Sequence, residues 1–249
     1  MVYAISFVVI SLASFVFVML GLGGAMVYVP VLKWAGFSVK EVAIPLGLLL
    51  NGLTTLLALP AYARNKLVDW KGGFAMAAAA FVAAPVGAVV TNYVPVNLLL
   101  ILFAAAVVVA AGRMVFISRQ PEPETLLSMK KRAVIGGLVG AFAGFLAGLL
   151  GVGGGFIMAP LLMWMGYKTK QAAATSAFAV TFSSFSGFLG HVAAGHFNWL
   201  LTAILVVAIL IGSQLGSQFM IHKAKPKWVK QLYAVVLLAI AVKLIVGVI

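Results

Sequence analysis

The chain has 249 residues, of which 64% are hydrophobic and only 8% charged. Soluble globular proteins carry about 25% charged residues, so this chain cannot clothe its surface for water and belongs mostly in lipid. Seventeen Lys and Arg against four Asp and Glu give a net charge of +13; in a chain of apolar spans that excess marks basic cytoplasmic loops and excludes a nucleic-acid partner. With no cysteine, disulfides, thiol catalysis and most soft-metal sites are excluded as well.

At roughly 20 apolar residues per crossing, the sequence divides into segments at 1–20, 24–35, 41–62, 72–92, 96–117, 132–150, 154–166, 171–194, 198–221 and 229–249. The first has no basic start and no polar break after it, and reads as a retained span. Two segments are short. As helices, 24–35 and 154–166 reach only about 18–20 Å, against a hydrocarbon core of about 30 Å. Each follows a glycine cluster that interrupts an apolar run, carries a proline (Pro30 or Pro160), and ends at a Gly with Lys beyond it.

The short segments expose an internal repeat. GLGGAMVYVPVLKWAGFSVK (21–40) aligns without gaps on GVGGGFIMAPLLMWMGYKTK (151–170), with eight of twenty positions identical. After one gap, Asp69-Trp70 matches Asn198-Trp199. The halves are 1–118 and 132–249, joined by the polar linker 119–131. The expected fold class is an all-α polytopic membrane protein of two inverted repeats, each a glycine-broken hairpin plus three spans.

Charge placement carries the inversion. If each short segment leaves the chain on the far side of the preceding span, Lys and Arg divide nine to eight, without bias. If each returns the chain to its starting side, fourteen share one face and only Lys33, Lys40 and Lys243 take the other. The basic loops are then cytoplasmic and both termini outside, as in an inner-membrane protein. The loop RNKLVDW (64–70) is charged, whereas its counterpart GHFNW (195–199) has no Lys or Arg.

In such an inverted pair the glycine tips approach each other near the midplane. The short helices then begin there, with free backbone N–H groups and the positive end of the helix dipole. Glycine allows the tight turn and the close approach of backbone to a ligand, so the clusters predict an anion site made of backbone. Its candidate residues are Gly21, Gly23, Gly24 and Ala25, with Gly151, Gly153, Gly154 and Gly155. Asn51 and Thr54 lie at mid-depth in the following span, and Thr181 and Ser184 at the equivalent depth of the second half. Thr55, Ser183 and Ser186 lie beside them, and together these suggest a cavity lined by hydroxyls and one amide. The regular spacing of Gly136, Gly140, Gly144 and Gly148 reads as helix packing within the protomer or at a homodimer interface. Gly212, Ser213, Gly216 and Ser217 read as a second packing face. His191, near the end of its span, is a candidate gate or proton carrier, whereas His196 and His222 read as interfacial. Trp34, Trp70, Trp164, Trp199 and Trp228 sit at segment ends, where they anchor in the lipid interface.

The paired motifs GLGGAMVYVPVL and GVGGGFIMAPLL, the Trp-x-Gly after each, and the two-half layout resemble the TauE/SafE family of sulfite and organosulfonate exporters over essentially the whole chain. The resemblance implies a bacterial or archaeal inner-membrane carrier of small sulfur-containing anions, with the glycine clusters contributing to the substrate site. One departure is Ala25, where the second half has Gly155, which makes the half-sites unequal. No cofactor and no metal is expected, and the partners are a small anion and membrane lipids. All four acids lie in loops or at span ends, away from the mid-membrane depth where proton and sodium carriers place a carboxylate. That pattern favours uniport driven by the membrane potential. A pore for a small neutral solute and a proton-coupled anion carrier remain as alternatives; an enzyme lacks a constellation of catalytic groups.

Overall fold

The computed structural model describes residues 2–192 and 199–248. His196 and Asn198 lie outside the described residues, as does the side chain of Lys243. The helices are α1 (Val2–Met19), α2 (Ala25–Trp34), α3 (Ile44–Arg64), α4 (Trp70–Thr91), α5 (Val96–Ser118), α6 (Met129–Leu150), α7 (Gly155–Trp164), α8 (Thr169–His191), α9 (Trp199–His222) and α10 (Pro226–Val248). A π-helical turn, Val39–Ala43, leads into α3. Among the described residues, five helices are long and apolar enough to cross a membrane: α3 with its π turn, α4, α6, α8 and α9. In lipid a helix satisfies its own backbone, and among the described residues every regular element is helical.

The short segments are helices of ten residues each. Both stop in the same way. Gly36 and Gly166 have φ of 91° and 95°, a left-handed conformation that glycine adopts without a Cβ clash. The amides of Phe37 and Tyr167 reach back to the carbonyls of Leu32 and Leu162 at 3.1 Å, closing a Schellman turn. The Lys that ends each repeat motif then caps another helix. Lys40 donates to the carbonyls of Thr91 and Val94 (3.1 and 3.2 Å), and Lys170 donates to that of Ile221 (2.9 Å). A cation over the last carbonyls of a helix meets the negative end of its dipole.

Helix pairing is reciprocal between the halves. α4 packs on α6 and α8, α9 packs on α1 and α3, α3 crosses α8, and α5 pairs with α10. Exchanging α1 with α6, α3 with α8, α4 with α9 and α5 with α10 maps this set onto itself. The contacts also fix direction. Asn51 meets Ser184 and Thr55 meets Thr181, so α3 and α8 run antiparallel. Gly136, Gly140, Gly144 and Gly148 face Met76, Met76, Ala80 and Ala84 in turn, so α4 and α6 run parallel. Gly212 and Gly216 face Ser14 and Phe15–Val18 on α1 in the same parallel sense. Both glycine stripes are thus taken up inside the protomer, and neither is left for a homodimer interface.

The linker is held in place. Its amide at Leu127 donates to the Met165 carbonyl at 3.0 Å. Lys230 donates to the carbonyls of Gln120 and Pro121 at 3.0 and 3.3 Å and pairs with Glu122 at 3.1 Å. Glu122 in turn accepts from the Thr169 amide (2.9 Å) and hydroxyl, capping α8. The last linker residues, Met129–Lys131, already belong to α6. Trp34, Trp70, Trp164, Trp199 and Trp228 are all exposed at helix ends, as anchors in an interface would be.

Candidate substrate site

The sequence placed its candidates in two halves more than a hundred residues apart, and the fold brings them to one point. Asn51, fully buried on α3, stands between the two glycine turns. Its Oδ1 accepts from the Ala25 amide at 2.7 Å, and its Nδ2 donates to the Ser184 hydroxyl at 2.8 Å. A Cβ on Gly23 or on Gly153 would overlap the Asn51 amide. Both residues hold positive φ, 91° and 78°, so each turn needs glycine for its conformation and for the space. The tips also touch each other: a Cβ on Gly155 would lie 2.9 Å from the Gly21 carbonyl and from Leu22 Cα.

Hydroxyls hold the tips by their carbonyl oxygens. Ser176 donates to Gly21 (3.0 Å), Ser183 to Gly153 (3.1 Å), Tyr28 to Gly23 (3.2 Å) and Tyr233 to Gly155 (3.1 Å). Thr54 sits 3.0 Å from the Tyr28 hydroxyl, and Thr181 sits 2.8 Å from that of Thr55. Gly21, Gly24, Gly151 and Gly154 complete the turns, each packed where a Cβ would overlap Ala173, Tyr28, Ile44 and Ala143 respectively. All twelve candidates therefore line one buried junction, in a closed arrangement. Ser186 is instead spent on the Phe81 carbonyl.

The two half-helix starts differ. The sequence predicts free N–H groups at both, but at α2 the first amide, Ala25, is taken by Asn51. At α7 the residue equivalent to Asn51 is Thr181, which is engaged by Thr55 and the Ala177 carbonyl. The N–H groups of Gly154 and Gly155 meet no acceptor among the described residues. His191 is fixed by a hydrogen bond between its Nε2 and the Gly148 carbonyl (2.8 Å) at the buried end of α8.

The family model described as "Sulfite exporter TauE/SafE" matches residues 6–244. The chain belongs to the TauE/SafE family. Among curated relatives, it is 29% identical to the probable membrane transporter protein YunE of Bacillus subtilis over 91% of each chain. It is 26% identical to the probable membrane transporter protein y4hK of Sinorhizobium fredii, over 97% of this chain and 96% of the relative. A 45-residue stretch, 18% of this chain and 10% of the relative, is 53% identical to sulfite exporter TauE/SafE family protein 3 of Arabidopsis thaliana. No solved structure matches. This TauE/SafE chain is thus a multi-pass membrane protein whose relatives are named transporters.

Sequence reasoning missed two groups in this TauE/SafE chain. The tyrosines Tyr28, Tyr62 and Tyr233 are fully buried and donate to backbone carbonyls; Tyr62 reaches that of Val18, 44 residues away, at 2.8 Å. At the end of the bundle that carries the basic loops, Arg132 forms an ion pair with Asp69. Tyr167 donates to the same Asp69 oxygen at 2.9 Å, and Thr175 accepts from the Asp69 amide at 3.0 Å. Burial pushes the Tyr167 phenol up to about 12, so it acts as a neutral donor. Nothing in the one-dimensional pattern joins residues 69, 132 and 167; only the parallel packing of α4, α6 and α8 does.

Proposed function

We propose that the chain exports a small sulfur-containing anion, such as sulfite or an organosulfonate, by potential-driven uniport through the Asn51 junction. The observation that carries this reading is Asn51 itself, one buried amide that caps α2 at the first glycine turn, packs against Gly153 of the second and grips Ser184 of α8. When the turns part, the second Nδ2 hydrogen of Asn51, the Ser184 hydroxyl and the Gly154 and Gly155 amides are donors that an oxyanion can accept from. Donors at a helix start in low dielectric favour negative charge. Capped α2 and uncapped α7 make the site one-sided, with the anion on α7 and the Asn51–α2 contact as its closed counterpart.

An inverted arrangement supports the same reading. α3 and α8 occupy equivalent places yet run antiparallel. Lys40 ties the turn after α2 to the C-terminal end of α4, and Lys170 ties the turn after α7 to the C-terminal end of α9. Antiparallel α3 and α8, with α1 parallel to α9, support hairpins that each return to the side they came from, and the basic loops support outside termini and a cytoplasmic linker. For anion export no coupling ion is needed, because an interior-negative potential favours outward movement by about 2.3 kcal/mol per charge per 100 mV.

The test is sulfite flux in proteoliposomes under a potassium diffusion potential. Export should accelerate with interior-negative potential and saturate with sulfite. Flux that ignores the potential and follows a proton gradient would reject the uniport, and unsaturable flux of neutral solutes would reject the carrier.

A further inference from the structure

We propose that Arg132 and Tyr167 form an oxyanion site at the cytoplasmic entrance, held in this structure by the chain's own Asp69 carboxylate, which an incoming sulfur oxyanion displaces. This rests on the exporter reading above and adds an entrance site well away from the Asn51 junction.

Asp69 is an incomplete partner for the groups around it. One carboxylate oxygen, Oδ1, is committed to the Gly72 amide at 2.9 Å, where it caps α4. The other, Oδ2, receives both Arg132 Nη1 and the Tyr167 hydroxyl. Arg132 therefore lacks the two-pronged pairing that its fork permits, and its Nε is buried with no partner. A sulfite or sulfonate presents three oxygens. It can pair with Nε and an Nη together while accepting from Tyr167, which satisfies the donor that Asp69 leaves orphaned.

The surroundings suit an exchange of anions. Gly72 lacks the Cβ that would overlap both the Tyr167 hydroxyl and the Asp69 carboxylate, so the first turn of α4 leaves room for oxygens against it. The Asp69 side chain is 28% exposed and that of Arg132 14%, so the carboxylate can swing to water while the guanidinium stays. Tyr167 also lines a cavity of about 980 Å³ between the ends of α5 and α7 and the linker, which borders the cluster on its phenol side. Asp69→Asn would keep the cap on α4 and remove the competing charge.

The test is phenylglyoxal labelling of Arg132 in the full-length detergent-purified protein, read by mass spectrometry. Methanesulfonate is the protecting anion, because sulfite itself adds to the glyoxal. Asp69→Asn should raise the labelling rate and lower the half-protecting methanesulfonate concentration by about tenfold, the value of one lost charged hydrogen bond. Tyr167→Phe should raise that concentration in the Asp69→Asn background. If Arg132 labels equally in wild type and Asp69→Asn, with or without methanesulfonate, sulfate or phosphate, Asp69 is only a structural bolt and the proposal fails. If Asp69→Asn does not fold, protection of wild type against that of Tyr167→Phe carries the same test. Sulfite and methanesulfonate flux measured in parallel separates the two readings. Protection without flux leaves the entrance site standing and removes the cargo assignment, whereas flux without protection does the reverse.

Discussion

Asn51 does two jobs with one side-chain amide. Its Oδ1 caps a half-helix and its Nδ2 grips the facing helix. Asn51→Leu leaves the Ala25 amide and the Ser184 hydroxyl buried without their partner, at about 1–3 kcal/mol for each unsatisfied group. The variant should melt at a lower temperature in detergent and lose sulfite binding. Ser184→Ala, which removes one contact and keeps the cap, should lose binding with a smaller shift in melting. Equal melting of wild type and Asn51→Leu would refute the bridging role. The importance of Asn51 was legible because an amide at mid-span is costly unless it is used. Its partner was not legible in detail: the repeat aligns Asn51 with Thr181, yet antiparallel crossing brings Ser184 to Asn51 and Thr181 to Thr55. Asp69 and Arg132 read only as a loop acid and a basic-loop charge, since their meeting depends on where three helices begin.

At the scale of helices, the spacing of the small residues was readable but the depth of contact was not. Gly136, Gly140, Gly144 and Gly148 look alike in sequence. In the bundle, a Cβ on Gly140 or Gly148 would run into the carbonyl of Met76 or Ala84, whereas on Gly136 its nearest neighbour is 3.7 Å away. Gly140→Ala and Gly148→Ala should each cost about 1–3 kcal/mol of stability through overpacking, and Gly136→Ala close to nothing, as thermal melting in detergent can show. The short helices were legible because their length is a count; the linker was not, because its polarity hides that it is clamped. Burial by itself raises the Glu122 carboxyl, but the hydrogen bonds from Thr169 and Lys230 outweigh it and hold it below its ordinary value. The clamp's contribution is therefore complete above the ordinary carboxylate pKa and is lost as pH falls through the lowered one. Proteolysis of the linker should stay slow at neutral pH and accelerate only under acid, and Glu122→Gln should remove that pH dependence. An unchanged profile in Glu122→Gln would show that another group sets it.

For the whole molecule, two ways of threading the same helices lead to different transporters. If each hairpin returns to its own side, the glycine turns come from opposite faces and can meet as an anion site. If each leaves the chain on the far side, the halves are parallel and a shared midplane site between opposed half-helices has no basis. The absence of cysteine makes the choice measurable without a background. Single cysteines at Ala4, Ser38, Ser128 and Lys168 all fall at exposed positions. With returning hairpins, Ala4→Cys and Ser38→Cys should react with an impermeant maleimide from outside the cell, and Ser128→Cys and Lys168→Cys only after the membrane is opened. With hairpins that leave the chain on the far side, Ala4 and Ser38 would separate, and so would Ser128 and Lys168. The antiparallel crossing of α3 and α8 argues for the first pattern. Lys40 spends its charge on the α4 C-terminus, which explains a basic residue on the face the positive-inside rule leaves otherwise nearly bare. Lys170 does the same for α9 on the opposite, basic face. A split of either pair would therefore overturn the topology and, with it, the meeting of the two glycine turns at Asn51 as a route for anions.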